Sequence, residues 1–230
     1  MSRFPRVFLL AITTMVLAAT VFTVGCGDSG HAQLRVVHAS PDAPNVDVLV
    51  DGKTVLTNVA YEASSNYLTV SAGSRKIEVR ATGTSQDVIN ATVSLSRNKY
   101  YTVLAVDKVA SISPLVLTDD NTPPASGQIK LRLVHASPTA GPVDIYVEAP
   151  GAGVTGSPTL KNVPFKGFSD YLAVPAGSYE VYVTPTGVPT KVALDSGSLA
   201  LSAGQIRTAV ALDAPGGGTP LTAIVLKDLN

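Results

Sequence analysis

The sequence predicts an all-β protein in which two tandem antiparallel β-sandwich domains, immunoglobulin-like or prealbumin-like, follow an N-terminal signal helix. Three observations predict this fold: one segment occurs twice, apolar residues alternate with a period of two, and no amphipathic helix follows the first 25 residues. The 230 residues are 45% apolar and 15% charged, with a formal net charge of zero. This composition excludes a disordered chain, and it lacks the basic surplus of a nucleic-acid-binding protein.

Residues 1–25 are expected to form a signal peptide. Arg3 and Arg6 precede an uncharged apolar run over residues 7–24, and the small residue Gly25 follows it. A positive head, an apolar centre and a small-residue exit are the three parts of a secretory signal. A retained membrane-spanning helix is the alternative, because 18 residues just reach across a bilayer. Either way, the rest of the chain is placed outside the cytoplasm.

The residues around Cys26 resemble the lipobox of bacterial lipoproteins. T-V-G-C occupies residues 23–26, although Thr23 stands where leucine is usual, and a Gly/Ser-containing stretch follows. The resemblance implies cleavage before Cys26 and lipid attachment to it, with residues 26–33 as a flexible tether. A free thiol beside a conventional cleavage site is the alternative. The expected location is therefore the extracytoplasmic side of a cell-envelope membrane, either periplasmic or at the cell surface.

An internal repeat dominates the remainder of the chain. Residues 34–50 match residues 131–147 at 11 of 17 positions, and the register resumes after a seven-residue insertion in the second copy around residues 150–158. At ordinary residue frequencies, chance would give about one identical residue over a segment of this length. One module therefore occurs twice.

Each copy has the size of one small sandwich domain. We expect the first domain over residues 34–118 and the second over residues 131–230. The intervening residues 119–130 include two consecutive prolines and show no apolar periodicity, which is typical of a stiff linker. Two pieces cut apart near Pro123 are expected to fold independently.

Strand and turn signals alternate within each copy. Valine or isoleucine occupies every second position of residues 46–50 and 143–147, as in a strand with one face in the core. The residues between them are Asp47 and Leu49 in the first copy and Asp144 and Tyr146 in the second. Asn98 and Gly204 occupy matching turn positions, and these residue types readily accept a positive φ. Short strands at intervals of about ten residues favour an antiparallel sandwich.

The repeated L-R-x-V-H-A-S-P opening, the V-D-[VI] strand and the Y-L-x-V-x-A-G segment resemble a bacterial family called domain of unknown function 4397. Members occur in exported and surface-attached proteins, often in tandem. The resemblance covers nearly all of residues 34–226. It implies the fold class and brings no catalytic or ligand-binding residues.

The repeated H-A-S-P segment contains the residue types of a Ser-His-Asp triad. The candidates are His38, Ser40, Asp42 and Asp47 in the first copy and His135, Ser137 and Asp144 in the second. Residues two apart in a strand are about 6.7 Å apart, too far for direct proton transfer, and no G-x-S-x-G elbow is present. We therefore expect each histidine to lie on the core side and to hydrogen-bond a turn that begins at Ser-Pro.

The sequence contains candidate residues for two kinds of binding site, a metal site and a sugar-binding surface. The candidate metal ligands are His38, Asp42, Asp47 and Asp51, or the linker pair Asp119 and Asp120, and calcium commonly lies between tandem exported domains. The sequence has no EF-hand-like loop, so solvated strand faces are expected instead. A sugar platform would need exposed aromatic rings. Tyr67 and Tyr171 recur at one position and are expected to pack with a hydroxyl partner. That leaves Tyr146, together with Tyr179 or Tyr182, as candidate platform residues.

The sequence thus favours a non-enzymatic, lipid-anchored cell-envelope protein whose tandem sandwiches act as a spacer or as an interaction module. The alternative is a periplasmic or surface protein that binds a small ligand or a cation such as calcium at the junction between the domains, and a hydrolase ranks third. The expected partners are a membrane, through the lipid, and an unidentified envelope protein or polymer. No nucleic acid, catalytic residue, metal site or cofactor is expected.

Overall fold

The computed structural model describes residues 30–229, so the expected signal helix and Cys26 lie outside it. These residues are strands and turns almost throughout, with one short 3-10 turn at Val109–Ser111. The strands are β1 (His31–Ala39), β2 (Val46–Val50), β3 (Lys53–Val59), β4 (Leu68–Ser71), β5 (Gly73–Ala81), β6 (Asp87–Leu95), β7 (Tyr100–Val106), β8 (Ser113–Asp119), β9 (Gln128–His135), β10 (Val143–Glu148), β11 (Leu160–Val163), β12 (Leu172–Pro175), β13 (Gly177–Pro185), β14 (Leu194–Leu201), β15 (Ile206–Leu212) and β16 (Thr222–Leu229).

The strands form four sheets of four strands each. Sheets β4-β1-β7-β8 and β3-β2-β5-β6 enclose one apolar core, which we call the first sandwich. Sheets β12-β9-β15-β16 and β11-β10-β13-β14 enclose a second core, the second sandwich. The predicted all-β fold with two sandwiches is confirmed. No helix within residues 30–229 has the length and hydropathy of a membrane span.

Two strand pairings differ from the antiparallel expectation. β1 pairs with β7, and β9 with β15, in parallel. A parallel pair needs a long connection, which β2 to β6 provide in the first sandwich and β10 to β14 in the second. The period-two pattern identifies strands and their buried face but carries no information on the direction of the partner. The matched turn residues behave as predicted, with φ of 57° at Asn98 and 88° at Gly204.

The paired strands β1 and β7 are buried on both faces. In β1, Leu34 and Val36 point into the first core, while Arg35 and Val37 point to the opposite face of the sheet. A strand covered on both faces has a nearly continuous apolar sequence, as Y-Y-T-V-L-A-V in β7 has. The second face of each such sheet therefore has to be covered by another part of the chain.

The cover is the other sandwich. Sheets β4-β1-β7-β8 and β12-β9-β15-β16 face each other across a third apolar cluster to which both sandwiches contribute five buried residues at matching repeat positions. These are Val37, Ala39, Leu104, Val106 and Leu117 from the first sandwich and Val134, Ala136, Val210, Leu212 and Leu226 from the second. The two sandwiches consequently pack as one body, with the same residues presented from each side.

Candidate functional site

The H-A-S-P segments form turns held by their own histidines. His38 is fully buried; its Nε2 donates to the carbonyl of Pro44 at 3.0 Å, and its Nδ1 accepts from the backbone N–H of Ser40 at 3.3 Å. His135 makes the equivalent bonds to Gly141 at 2.8 Å and to Ser137 at 3.4 Å. Each imidazole is thus a neutral ring that closes the turn after the first strand of its sandwich.

The serine hydroxyls of these turns do not meet the histidines. Ser137 Oγ donates to the buried carboxylate of Asp213, and Ser40 Oγ is buried without a hydrogen-bond partner. Asp42, the nearest first-copy carboxylate in sequence, accepts from the backbone N–H of Val109 instead. No Ser-His-Asp relay is assembled at either repeat, so the catalytic interpretation has no geometric support.

The aspartates of the V-D-[VI] strands also accept hydrogen bonds from backbone N–H groups. Asp47 Oδ1 accepts from the N–H of Asn58 at 2.8 Å, and Asp144 Oδ1 accepts from the N–H of Asn162 at 2.7 Å. Both asparagines have a positive φ. Asp144 is only 2% exposed, so the expected solvated strand face is wrong at this position, because the carboxylate turns back to satisfy loop N–H groups.

Lowering the pH from 7.5 to 5.5 is expected to lower the free energy of unfolding. Burial lowers the pKa of His38 and His135 from the ordinary 6.5, so the unfolded chain binds protons in this range that the folded chain refuses. The contribution of the two neutral histidines to the free energy of unfolding is therefore complete above pH 6.5. It is lost as the pH falls below 6.5, by at most about 1.4 kcal/mol per pH unit for each histidine. Urea unfolding at pH 7.5, 6.5 and 5.5 measures this.

The exposed His31 supplies the control for that titration. His31→Gln is the control substitution at an exposed histidine, since this side chain lies at the surface at the start of β1. A free energy of unfolding that is constant or rises as the pH falls would contradict the structural role of the two buried imidazoles.

A buried arginine of the first sandwich reaches into the second. Arg35 Nη2 donates to Asp228 Oδ1 at 2.5 Å, and Nη1 donates to the carbonyl of Lys227 at 2.9 Å. Nε and Nη2 also donate to Thr102 Oγ1, at 3.0 and 2.7 Å. The guanidinium lies 4.8 Å from the centre of the Tyr67 ring. Arg35 therefore joins strands β1 and β7 to the last strand of the other sandwich.

Arg132 makes the same contacts in the opposite direction. Its Nη2 donates to Asp119 Oδ1 at 2.5 Å, and its Nη1 donates to the carbonyl of Thr118 at 3.1 Å. Nε donates to Thr208 Oγ1 at 3.1 Å, and the guanidinium lies 4.7 Å from the Tyr171 ring centre. The two arginines thus bind the two sandwiches reciprocally.

Each aspartate is held on its other oxygen by a tyrosine and a threonine of its own sandwich. Asp119 Oδ2 accepts from Tyr67 Oη at 2.7 Å and Thr102 Oγ1 at 2.6 Å, and Asp228 Oδ2 accepts from Tyr171 Oη and Thr208 Oγ1, both at 2.7 Å. Burial raises the pKa of both tyrosines, so their hydroxyls stay protonated donors. We call these eight residues the junction network. It holds two positive and two negative charges, each at most 4% exposed.

The cation alternative finds no vacant carboxylates at the junction. Both oxygens of Asp119 are occupied by the donors above, and Asp120 binds Lys130 Nζ at 2.5 Å. The lysine and the neighbouring Thr122 hold the pKa of Asp120 at about 2. Within residues 30–229 no three His, Cys, Asp or Glu side chains group as metal ligands.

Three members of the junction network carry a signal that sequence reasoning missed. Arg35 and Arg132 stand in the repeated L-R-x-V-H-A-S-P opening, but that opening was used only as a marker of the repeat. The third member is Asp228, at the end of the second copy. V-L-K-D ending at Asp228 matches V-L-T-D ending at Asp119, so both copies end in an aspartate of the junction network.

The candidate sugar platform is covered. Tyr146 and Tyr182 are cross-strand neighbours on the outer face of the second sandwich, yet only 3% and 5% exposed. The seven-residue insertion folds over this face: the Gly151 N–H donates to Glu180, and the Gly153 backbone hydrogen-bonds Tyr182. Tyr179 packs against the second core, with its hydroxyl on the carbonyl of Pro175. Tyr67 and Tyr171 have hydroxyl partners, as predicted.

An open groove of about 650 Å³ runs along the flank of the second sandwich beside the linker. Its lining residues, which define the linker groove, are Thr118, Asp120, Thr122, Pro123, Pro124, Ala125, Gln128, Lys130, Arg132, Phe168, Ser169, Asp170, Tyr171 and Ala173. Phe168 is 51% exposed, more than any other large apolar side chain within residues 30–229. Nothing in the period-two pattern singles out Phe168, because it lies in a loop.

These observations define a class of protein: a tandem β-sandwich protein whose halves are joined by a reciprocal buried ion-pair network, with no assembled catalytic centre among the described residues. The chain belongs to the family described as "Domain of unknown function (DUF4397)", whose model matches residues 32–146 and 149–230. No curated protein matches the chain.

Several solved structures are similar in part. A family-26 carbohydrate-binding module of Eubacterium rectale Amy13K, solved with maltoheptaose, is 12% identical with a TM-score of 0.28, covering 86% of this chain and 98% of that one. A streptococcal virulence factor that binds α-glucan is 12% identical with a TM-score of 0.24, covering 74% and 88%. A putative adhesin from Bacteroides ovatus is 10% identical with a TM-score of 0.23, covering 87% and 96%. At such low TM-scores their ligands and roles are not carried over to this chain.

Proposed function

We propose that this chain is a non-enzymatic cell-envelope protein, anchored through lipid on Cys26, whose two sandwiches act as a single rigid interaction unit. The observation that carries the proposal is the junction network, in which Arg35 and Arg132 each cross to the opposite sandwich. Buried ion pairs with fixed hydrogen-bond geometry specify one mutual orientation. A rigid body of two sandwiches suits presentation of a binding surface at a fixed place above a membrane.

The non-enzymatic part of the proposal rests on how the polar groups are used. The histidines of both H-A-S-P turns are occupied by backbone groups, and the junction aspartates are occupied by arginine, tyrosine and threonine. A general base needs a free lone pair that faces the substrate, and a general acid needs a proton that faces it. Buried groups that already satisfy one another serve folding and docking.

Lipid on Cys26 would fix the orientation of the two sandwiches relative to the membrane. Cys26 lies five residues before His31, so the start of β1 lies within about 18 Å of the lipidated residue even with the chain fully extended. β9 starts at the same end, because the H-A-S-P ends of β1 and β9 meet. Asp213, whose carboxylate accepts from Ser137 Oγ, also accepts from Tyr61 Oη through its carbonyl, and the Gly216 N–H donates to the carbonyl of Pro41. The H-A-S-P turns at the other end of both strands then point away from the membrane.

Wild-type protein grown with an alkyne-tagged fatty acid is expected to become labelled, and Cys26→Ala is expected to remain unlabelled. The reason is that the thiol and the new amino group of Cys26 are the only acylation points that a lipobox-like signal supplies. Ser29→Ala is the matched control in the same tether and is expected to be labelled like wild type. Equal labelling of Cys26→Ala, or an unlabelled wild type, would contradict the lipid anchor.

A further inference from the structure

The linker groove is long and open rather than a closed pocket. It follows β9 from Gln128 at the linker end to Phe168, which pairs with Val134. Six residues of strand correspond to about 20 Å. The linker at residues 122–125 forms one wall, and the loop leading into β12 forms the other. A site of this shape fits an extended chain rather than a compact small molecule.

The linker groove differs from the equivalent cleft of the first sandwich. The corresponding cleft of the first sandwich, which includes Arg35 and Tyr67, has a volume of only about 280 Å³. It has Ser64 where the second sandwich has Phe168, and its lining includes no linker residue. The aromatic ring and the second wall are therefore particular to one side of the molecule.

The chemistry of the groove favours a neutral ligand that carries hydroxyl groups. Phe168 offers a flat apolar ring at the surface two residues before the exposed Asp170, and Gln128 offers a side-chain amide at the linker end of the groove. Sugar rings match this combination, because their C–H faces stack on aromatic rings while their hydroxyl groups bond polar side chains.

The charges in the groove disfavour an anionic ligand. Lys130 is bonded to Asp120, and Arg132 is bonded to Asp119 in the junction network, so both cations are already compensated. Asp170 adds an exposed carboxylate. With no surplus of positive charge, the groove lacks the attraction that a nucleic acid or a polyphosphate requires.

A peptide is disfavoured by the edge strand that borders the groove. β12 has only four residues, Leu172–Pro175, and its last residue lacks an N–H group. A short edge strand that ends in proline offers few donors to an added strand. A polyproline ligand would need several exposed aromatic rings, whereas the Tyr171 ring is covered by the cations of Arg132 and Lys130.

We infer that the linker groove is a binding site for a neutral glycan chain, with Phe168 as the stacking residue. This inference deepens the proposed function by giving the interaction unit a ligand class. It does not depend on the lipid, so a failed fatty-acid labelling experiment would leave it standing.

The test is native gel electrophoresis of the detergent-solubilised full chain through gels that contain soluble starch, laminarin, xylan or glycol chitin. At least one of these polysaccharides is expected to retard the wild type, and Phe168→Ala is expected to weaken that affinity about tenfold or more, as loss of a central aromatic contact does. Val188→Ala is the control, since Val188 is an exposed apolar side chain outside the groove. It is expected to migrate like wild type.

Three outcomes would overturn the inference. These are no retardation by any of the four polysaccharides, equal retardation of Phe168→Ala and wild type, and binding of a decaproline peptide by the wild type without any polysaccharide binding. Because Phe168 is half exposed, its replacement is expected to leave the protein folded, and an unchanged urea midpoint verifies this.

Discussion

Replacing Arg132 with methionine is expected to lower the free energy of unfolding by about 3–5 kcal/mol. Methionine keeps the length of the side chain and removes its charge. The fully buried carboxylate of Asp119 would then lose the guanidinium that donates to it and keep two neutral hydroxyl donors. Arg35, whose Nη2 lies 3.8 Å from Asp119 Oδ2, would be the one arginine left to balance both Asp119 and Asp228. Desolvation of an uncompensated charge is costly, and total stabilities of single domains are only about 5–15 kcal/mol. Urea unfolding monitored by circular dichroism measures the change.

Arg75→Met is the matched control. Arg75 binds Asp51 at 2.8 Å, but both side chains are partly exposed, so the loss is expected to stay below about 1 kcal/mol. Combining Arg132→Met with Asp119→Leu is expected to recover part of the loss, because the orphaned charge is removed as well. Equal small effects of Arg132→Met and Arg75→Met would show that the junction network does not hold the molecule together.

The fold of each half follows from local rules that a sequence expresses directly. Alternation at residues 46–50 places valines on one face, and turn residues such as Asn98 sit where a positive φ is needed. The repeat then transfers each conclusion to the second copy. These features depend on neighbours along the chain, so they could be predicted.

Packing of the two halves depends on residues far apart in sequence. Val37 and Leu104 belong to strands whose pattern resembles that of any strand buried on both faces, and nothing local says what covers the second face. Arg35 was visible in a repeated motif, but its partner Asp228 lies 193 residues away. A charged residue between core positions of a doubly buried strand does predict a buried partner, and that signal was available.

Which aromatic ring is exposed could not be predicted for a related reason. Tyr146 lies on the outer face of its strand, as the alternation predicts, but the insertion covers that face. Phe168 is exposed because the linker and the loop before β12 leave a groove between them. Whether an aromatic ring is covered is decided by the placement of loops, which periodicity does not encode.

The second large effect is expected when the linker is cleaved in a variant whose apolar cluster between the two sandwiches carries a charge. A protease site inserted between Pro124 and Ala125 would separate the chain into two halves, each with one sandwich. We expect the cut halves to remain bound, because separation would expose five apolar cluster residues on each half and leave the junction arginines and aspartates without their partners. Leu104→Asp, which places a charge in that cluster, is expected to let the cut halves separate.

Size-exclusion chromatography of the cleaved wild type tests most directly whether the two sandwiches form one unit. Our account predicts a single species at the elution volume of the uncut chain, containing both halves in equal amounts. Two separate, folded half-size species would contradict it, since the tandem sandwiches would then be independent domains joined only by their linker.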